Sequence, residues 1–100
     1  MYRTINGSYD AVFNDCKLAL KQLEWSLKYQ SKRDGIIAAE TGSSIFSWGE
    51  IIDIKIDDRN PSRIKVSVKS TSKAQLFDWG KNETNEEKFL TRLTRLTDSR

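Results

Sequence analysis

Two short stretches carry the residues best suited to recognition, Phe46-Ser47-Trp48-Gly49-Glu50 and Phe77-Asp78-Trp79-Gly80-Lys81. Both read Phe-x-Trp-Gly followed by a charge, so each sets two large rings beside a permissive glycine and an ionisable group. Such rings line pockets or partner-binding patches. Glu50 and Lys81 add a carboxylate and an ammonium, able to pair with each other in a contact worth at most about 1 kcal/mol if exposed. Glu50 with Asp78 also makes a candidate carboxylate pair, the kind of group that general acid–base work requires. Lys73 and Lys81 precede a helix whose N-terminus would favour a phosphate or carboxylate, although Thr84, Glu86 and Glu87 already supply capping polarity there. The plainer reading of Phe46, Trp48, Phe77 and Trp79 is a plug over the open end of the core. It is the favoured one, because a chain of 100 residues can seldom spare so much apolar area.

Most catalytic and metal chemistry is excluded by what the chain lacks. It has no histidine and a single cysteine, Cys16. That removes Ser-His and Cys-His pairs, the usual zinc ligand sets and any intramolecular disulfide. Neither a phosphate-cradling glycine loop nor a His-Glu-x-x-His helix is present. Cys16 falls mid-stripe on an apolar helix face, where a thiol ionises poorly and serves packing. The expectation is a domain that is not an enzyme and needs neither cofactor nor metal.

The 17 basic and 14 acidic residues leave a charge of +3, with both signs interspersed. The longest basic run is Lys32-Arg33, so a mixed solvated surface is expected rather than a nucleic-acid footprint. Apolar runs such as Ile36 to Ala39 are far too short to span a bilayer, and nothing apolar follows Met1-Tyr2-Arg3-Thr4. A cytoplasmic location is the resulting expectation.

The elements that must position the two aromatic stretches follow from periodicity. Tyr2 to Ile5 is a short strand, and Asn6-Gly7 a turn before Ser8, a helix N-cap. Tyr9, Val12, Phe13, Cys16, Ala19, Leu20 and Leu23 then recur at helical spacing to about Glu24. At Trp25 the pattern changes to alternation, with Trp25, Leu27 and Tyr29 on one side. Asp34-Gly35 predicts a type I′ hairpin turn into Ile36 to Thr41. Ile52, Ile54 and Ile56 mark the next strand, Pro61 turns the chain, and Ile64, Val66 and Val68 mark the last. Thr84 and Glu87 have capping-box spacing ahead of a helix with Phe89, Leu90, Leu93 and Leu96 inward. The whole chain, residues 1–100, thus reads as one α+β domain of order β-α-β-β-β-β-α. Its expected form is a curved antiparallel sheet of a four-strand meander plus a short first strand, gripping two helices on one face.

A hairpin through Pro61 sets the start of one strand beside the end of the other. Both aromatic stretches then project from one edge, here the loop end, while the tight turns occupy the opposite one, the turn end. Long loops on a rigid scaffold concentrate binding residues.

Ser47-Trp48-Gly49-Glu50 and Phe77-Asp78-Trp79-Gly80-Lys81-Asn82 resemble the S-W-G-E strand entry and D-W-G-K-N segment of a family of small uncharacterised bacterial proteins with the same element order. The resemblance covers nearly the whole chain and implies no activity. The layout is also similar, in architecture only, to small lipoprotein domains of the outer-membrane β-barrel assembly machine, whose lipidated cysteine is missing here. The expected function is a binding or interaction domain, taking a protein partner or a small apolar, lipid-like ligand. It would use Phe46, Trp48, Glu50, Phe77, Trp79 and Lys81, or the groove between helices and sheet. A single-strand nucleic-acid surface built on Tyr29, Phe46, Trp48 and nearby lysines is a less favoured alternative, and a carboxylate-based enzyme the least.

Overall fold

Ser8 opens the first helix by accepting the Ala11 N–H through its hydroxyl, satisfying one of the donors a helix start leaves unpaired. The computed structural model describes residues 1–42, 49–73 and 80–99. Within them the order is β1 (Tyr2–Asn6), α1 (Tyr9–Gln22), β2 (Ser26–Ser31), β3 (Ile36–Glu40), β4 (Glu50–Asp57), β5 (Arg63–Ser72) and α2 (Lys81–Asp98). This is the expected β-α-β-β-β-β-α order.

The strands form one open antiparallel sheet in the order β1-β5-β4-β3-β2. The first strand, whose pairing the sequence left open, lies at an edge beside β5 with Ile5 opposite Ile64. Alternation along β4 and β5 sends Ile52, Ile54, Ile56, Ile64, Val66 and Val68 to one face, and there they meet both helices. Val12, Phe13, Cys16, Ala19 and Leu20 of α1 and Phe89, Leu90 and Leu93 of α2 complete that core. The two helices pack on each other, with α2 over β5 and β1 and α1 towards β2. The other face of the sheet carries exposed Ile51, Asp53 and Lys55.

Three expectations change in detail. The hairpin between β2 and β3 is not a two-residue type I′ turn. Residues 32–35 form the loop, and of Asp34 and Gly35 only the glycine has positive φ, 68°. A side chain there would meet the Ile56 carbonyl oxygen, 2.3 Å from an ideal Cβ, so the turn requires glycine.

On β2, Leu27 pairs with Ala39 and Tyr29 with Ala38, leaving Lys28 as the extra residue of a bulge. The bulge separates Tyr29 from the face that Leu27 shares with Ala39. Both side chains are exposed, as befits a strand at the edge of the sheet formed by the described residues.

The last helix begins three residues before the capping-box threonine. Gly80, left-handed at φ 76°, is the N-cap without a side-chain bond, and the Thr84 N–H already donates to the Gly80 carbonyl inside the helix.

Candidate functional site

Of the six residues singled out by sequence, Glu50 and Lys81 lie in the described part of the chain; Phe46, Trp48, Phe77 and Trp79 lie outside it. The roots of the two aromatic stretches do come together. The Lys73 N–H at the end of β5 donates to the Gly49 carbonyl at the start of β4 (3.2 Å), and the Thr41 N–H donates to the Glu50 carbonyl (3.0 Å).

Glu50 departs from expectation. Rather than an exposed partner for Lys81, it is 1% exposed, while Lys81 faces solvent. The reason is its register. Glu50 extends the row Ile52, Ile54, Ile56 by one more alternation, so its side chain must point to the core face.

Burying a carboxylate is unfavourable unless hydrogen bonds replace its hydration. Oε1 of Glu50 accepts from the Thr41 hydroxyl (3.0 Å) and from the Asn85 amide (2.8 Å). The Glu50 N–H in turn donates to the Thr41 hydroxyl oxygen (2.8 Å).

The network continues through residues that sequence reasoning did not select. The Asn85 amide also donates to Oγ of Ser70 (3.2 Å), and that hydroxyl donates to Oδ1 of Asn82 (2.7 Å). Asn82 then donates to Oγ of Ser72 (3.1 Å). The Ser70 N–H donates to Oε2 of Glu86 (2.9 Å).

Each of these positions prolongs an apolar row: Ser70 lies two residues beyond Val68 on β5, and Asn85 one helical turn before Phe89 on α2. Three apolar stripes therefore end in polar residues at one place, where the rows meet under the loop end. Just outside, Lys73 pairs with Glu40, and that hydrogen bond and charge hold the Glu40 carboxyl below its ordinary range.

Burial pushes the Cys16 thiol well above its ordinary range, with Asp15 adding to the effect, so it is not a nucleophile at neutral pH. No group of three or more His, Cys, Asp or Glu able to hold a metal occurs among the described residues, and no helix there is long and apolar enough to cross a membrane.

Two surface depressions flank these elements. One, of about 370 Å³, runs along α2 and is lined by Leu23, Thr84, Glu87, Lys88, Thr91, Arg92 and Arg95. The other, of about 420 Å³, sits at the turn end between the β2–β3 loop and the end of β4, beside Asp34, Asp57, Asp58 and Arg59.

No protein-family model matches the chain and no curated protein matches it, in keeping with a resemblance to an uncharacterised family. Among solved structures it is similar to a chain in the crystal structure of the adenylate sensor from AMP-activated protein kinase in complex with 5-aminoimidazole-4-carboxamide 1-beta-D-ribofuranotide (ZMP). The TM-score is 0.71 at 12% identity, covering 91% of this chain and 93% of that one. At that identity the likeness is one of fold.

Proposed function

We propose that this domain is a non-enzymatic binding module whose recognition surface is the loop end, formed by residues 46–50 and 77–82. The observation that carries the reading is the network of Thr41, Glu50, Ser70, Asn82 and Asn85, centred on the buried Glu50, Ser70 and Asn85, at the roots of both segments. A polar network inside a small core is an expensive way to fill space, since apolar side chains of similar volume would serve stability as well or better. What it supplies is fixed direction. Hydrogen bonds of defined geometry tie the start of β4, the end of β5 and the first turns of α2 into one frame, as a recognition surface needs.

A small molecule with a planar or apolar part is the ligand best matched to Phe46, Trp48, Phe77 and Trp79. Two further points support this choice. The fold is shared with a chain from an assembly solved with the small ligand ZMP. The space between helices and sheet is occupied by buried side chains such as Phe13, Phe89, Ile52 and Val66, which favours the loop end over an interior lipid-like cavity.

The chain has three tryptophans, so a Trp25→Phe variant leaves Trp48 and Trp79 as the only indole emitters. Titrating it with nucleoside monophosphates, aromatic metabolites and fatty acids is expected to give a saturable emission change with one class, and a raised melting temperature. Two indoles shielded from iodide in the free protein, with no compound altering emission or melting, would instead mark the loop end as a core plug.

A further inference from the structure

Lys88, Arg92 and Arg95 stand four and three residues apart on α2, so their side chains form one row along one side of the helix. Together with Leu23, Thr84, Glu87 and Thr91 they line the open depression of about 370 Å³, a size within the range of small-molecule sites.

What sets this row apart is that its cations stand together. Lys32, Arg33, Arg59 and Lys73 each pair with a carboxylate, and Lys17 and Lys65 lie over the rings of Phe13 and Tyr2. Lys88, Arg92 and Arg95, like Arg3, Lys21, Lys28, Lys55, Arg63, Lys69 and Lys81, have no ion-pair or ring partner among the described residues, but these three line one depression together, against the one anion of Glu87. Like charges at three- and four-residue spacing repel and weaken a helix. The helix dipole accounts for Arg95 in the last turn, but not for Lys88 and Arg92 in the interior.

Three cations grouped beside a single carboxylate raise the local potential and favour an anion from solution. The row's seven-residue span is about 10 Å at the rise of an α-helix, so a single phosphate would have to draw the three like-charged side chains in against their own repulsion. A chain of phosphates lets them stay apart, with the guanidinium forks taking paired oxygens.

We propose that this groove binds a small soluble polyphosphate, of which a nucleoside diphosphate is the type. Its phosphate oxygens bridge Lys88, Arg92 and Arg95, the hydroxyls of Thr84 and Thr91 stand beside them, and Leu23 gives apolar contact to the remainder. The site shares no residue with the loop end and stands or falls separately from it.

The test is calorimetric titration of the full chain with ADP and with inorganic pyrophosphate, at low and at raised salt. Lys88→Gln with Arg95→Gln is compared with Lys28→Gln and Lys55→Gln, which removes the same charge from exposed positions on β2 and β4. Saturable binding is expected that weakens with salt, falls about tenfold or more in the α2 variant and less than about threefold in the sheet variant. Glu87→Gln is expected to tighten it, and amide shifts in α2 to follow the titration while indole emission of the Trp25→Phe chain stays constant. The proposal is overturned by absence of saturable binding to both ligands, or by equal losses in the two double variants with melting temperatures unchanged. Binding found only with phosphatidylserine vesicles or a single-stranded oligonucleotide overturns it as well.

Discussion

The turn end and the loop end satisfy their polar groups in opposite ways. At the turn end most side-chain partners are close in sequence and exposed, as in Ser31 with Asp34, Asp57 with Arg59 and Asn60 with Ser62, with Tyr9 and Asp10 on Lys32 the long-range exceptions. At the loop end they are distant in sequence and partly or wholly buried: Glu50 with Asn85, 35 positions away, and Ser70 with Glu86, 16 away. The first kind of contact reverses a chain and can form before the rest of the molecule folds. The second exists only once β4, β5 and α2 have met, so it reports on, and depends on, the assembled fold.

If that contrast is right, the largest effect belongs to Glu50. Glu50→Ala leaves Thr41 and Asn85 without their acceptor and should lower the unfolding free energy by about 3 kcal/mol in urea titrations. Equal losses in Glu50→Ala and Asp57→Ala would erase the distinction between the two ends.

Gly35→Ala sharpens it from the other side, because there the turn end does depend on one backbone conformation. With φ of 68° and the Ile56 carbonyl in the way, a loss of about 2 kcal/mol is expected. Next comes Asn82→Ala, which removes partners from Ser70 and Ser72 and should shift the same titration by about 1 kcal/mol.

Cys16 gives a pH signature of the buried half. Its folded pKa is raised, so its contribution is full below the ordinary thiol value of 9.0 and declines as pH rises beyond it. Alkylation by iodoacetamide at neutral pH should accordingly proceed only as fast as the protein opens.

The smallest effects are at the exposed pairs. The Asp57 carboxyl is held below its ordinary range, first by the Arg59 side chain, and Glu40 by Lys73. Their contributions are present above the ordinary carboxylate range and fade as pH falls below it, with Lys73→Ala giving a melting curve close to that of the parent chain.

The same contrast explains what could be read from sequence. Alternation at Ile52, Ile54 and Ile56 and the 3.6-residue stripes of both helices gave the element order and the core. The position of the Asp34-Gly35 turn was legible because its cause is local, although its type was not, since only the closeness of Ile56 shows why Gly35 and not Asp34 takes the left-handed conformation. The bulge at Lys28 left no mark, because an edge strand makes few demands on alternation. Thr84 and Glu87 misled, their capping-box spacing falling inside a helix that Gly80 had already started.

For the site, the missed signal was available. Each apolar row, extended by one period, ends in a residue that looks like surface by type but is inward by position: Glu50, Ser70, Asn85. Type outweighed register in the reading of the chain, whereas packing obeys register.

The hydrogen bond from Ser70 to Glu86 has a consequence beyond the site. Within the described residues β1 accompanies β5 as far as Val68, whose backbone bonds to Met1, and the Ser70 N–H further along that rim of β5 is taken up by Glu86. A bare rim is a template on which another molecule's strand can add. Here a side chain of α2 caps it at Ser70, with a carboxylate in the place of a strand carbonyl. A chain in which α2 is loosened therefore exposes a sticky border as well as an open core, and its first symptom should be self-association into strand-paired aggregates rather than simple unfolding.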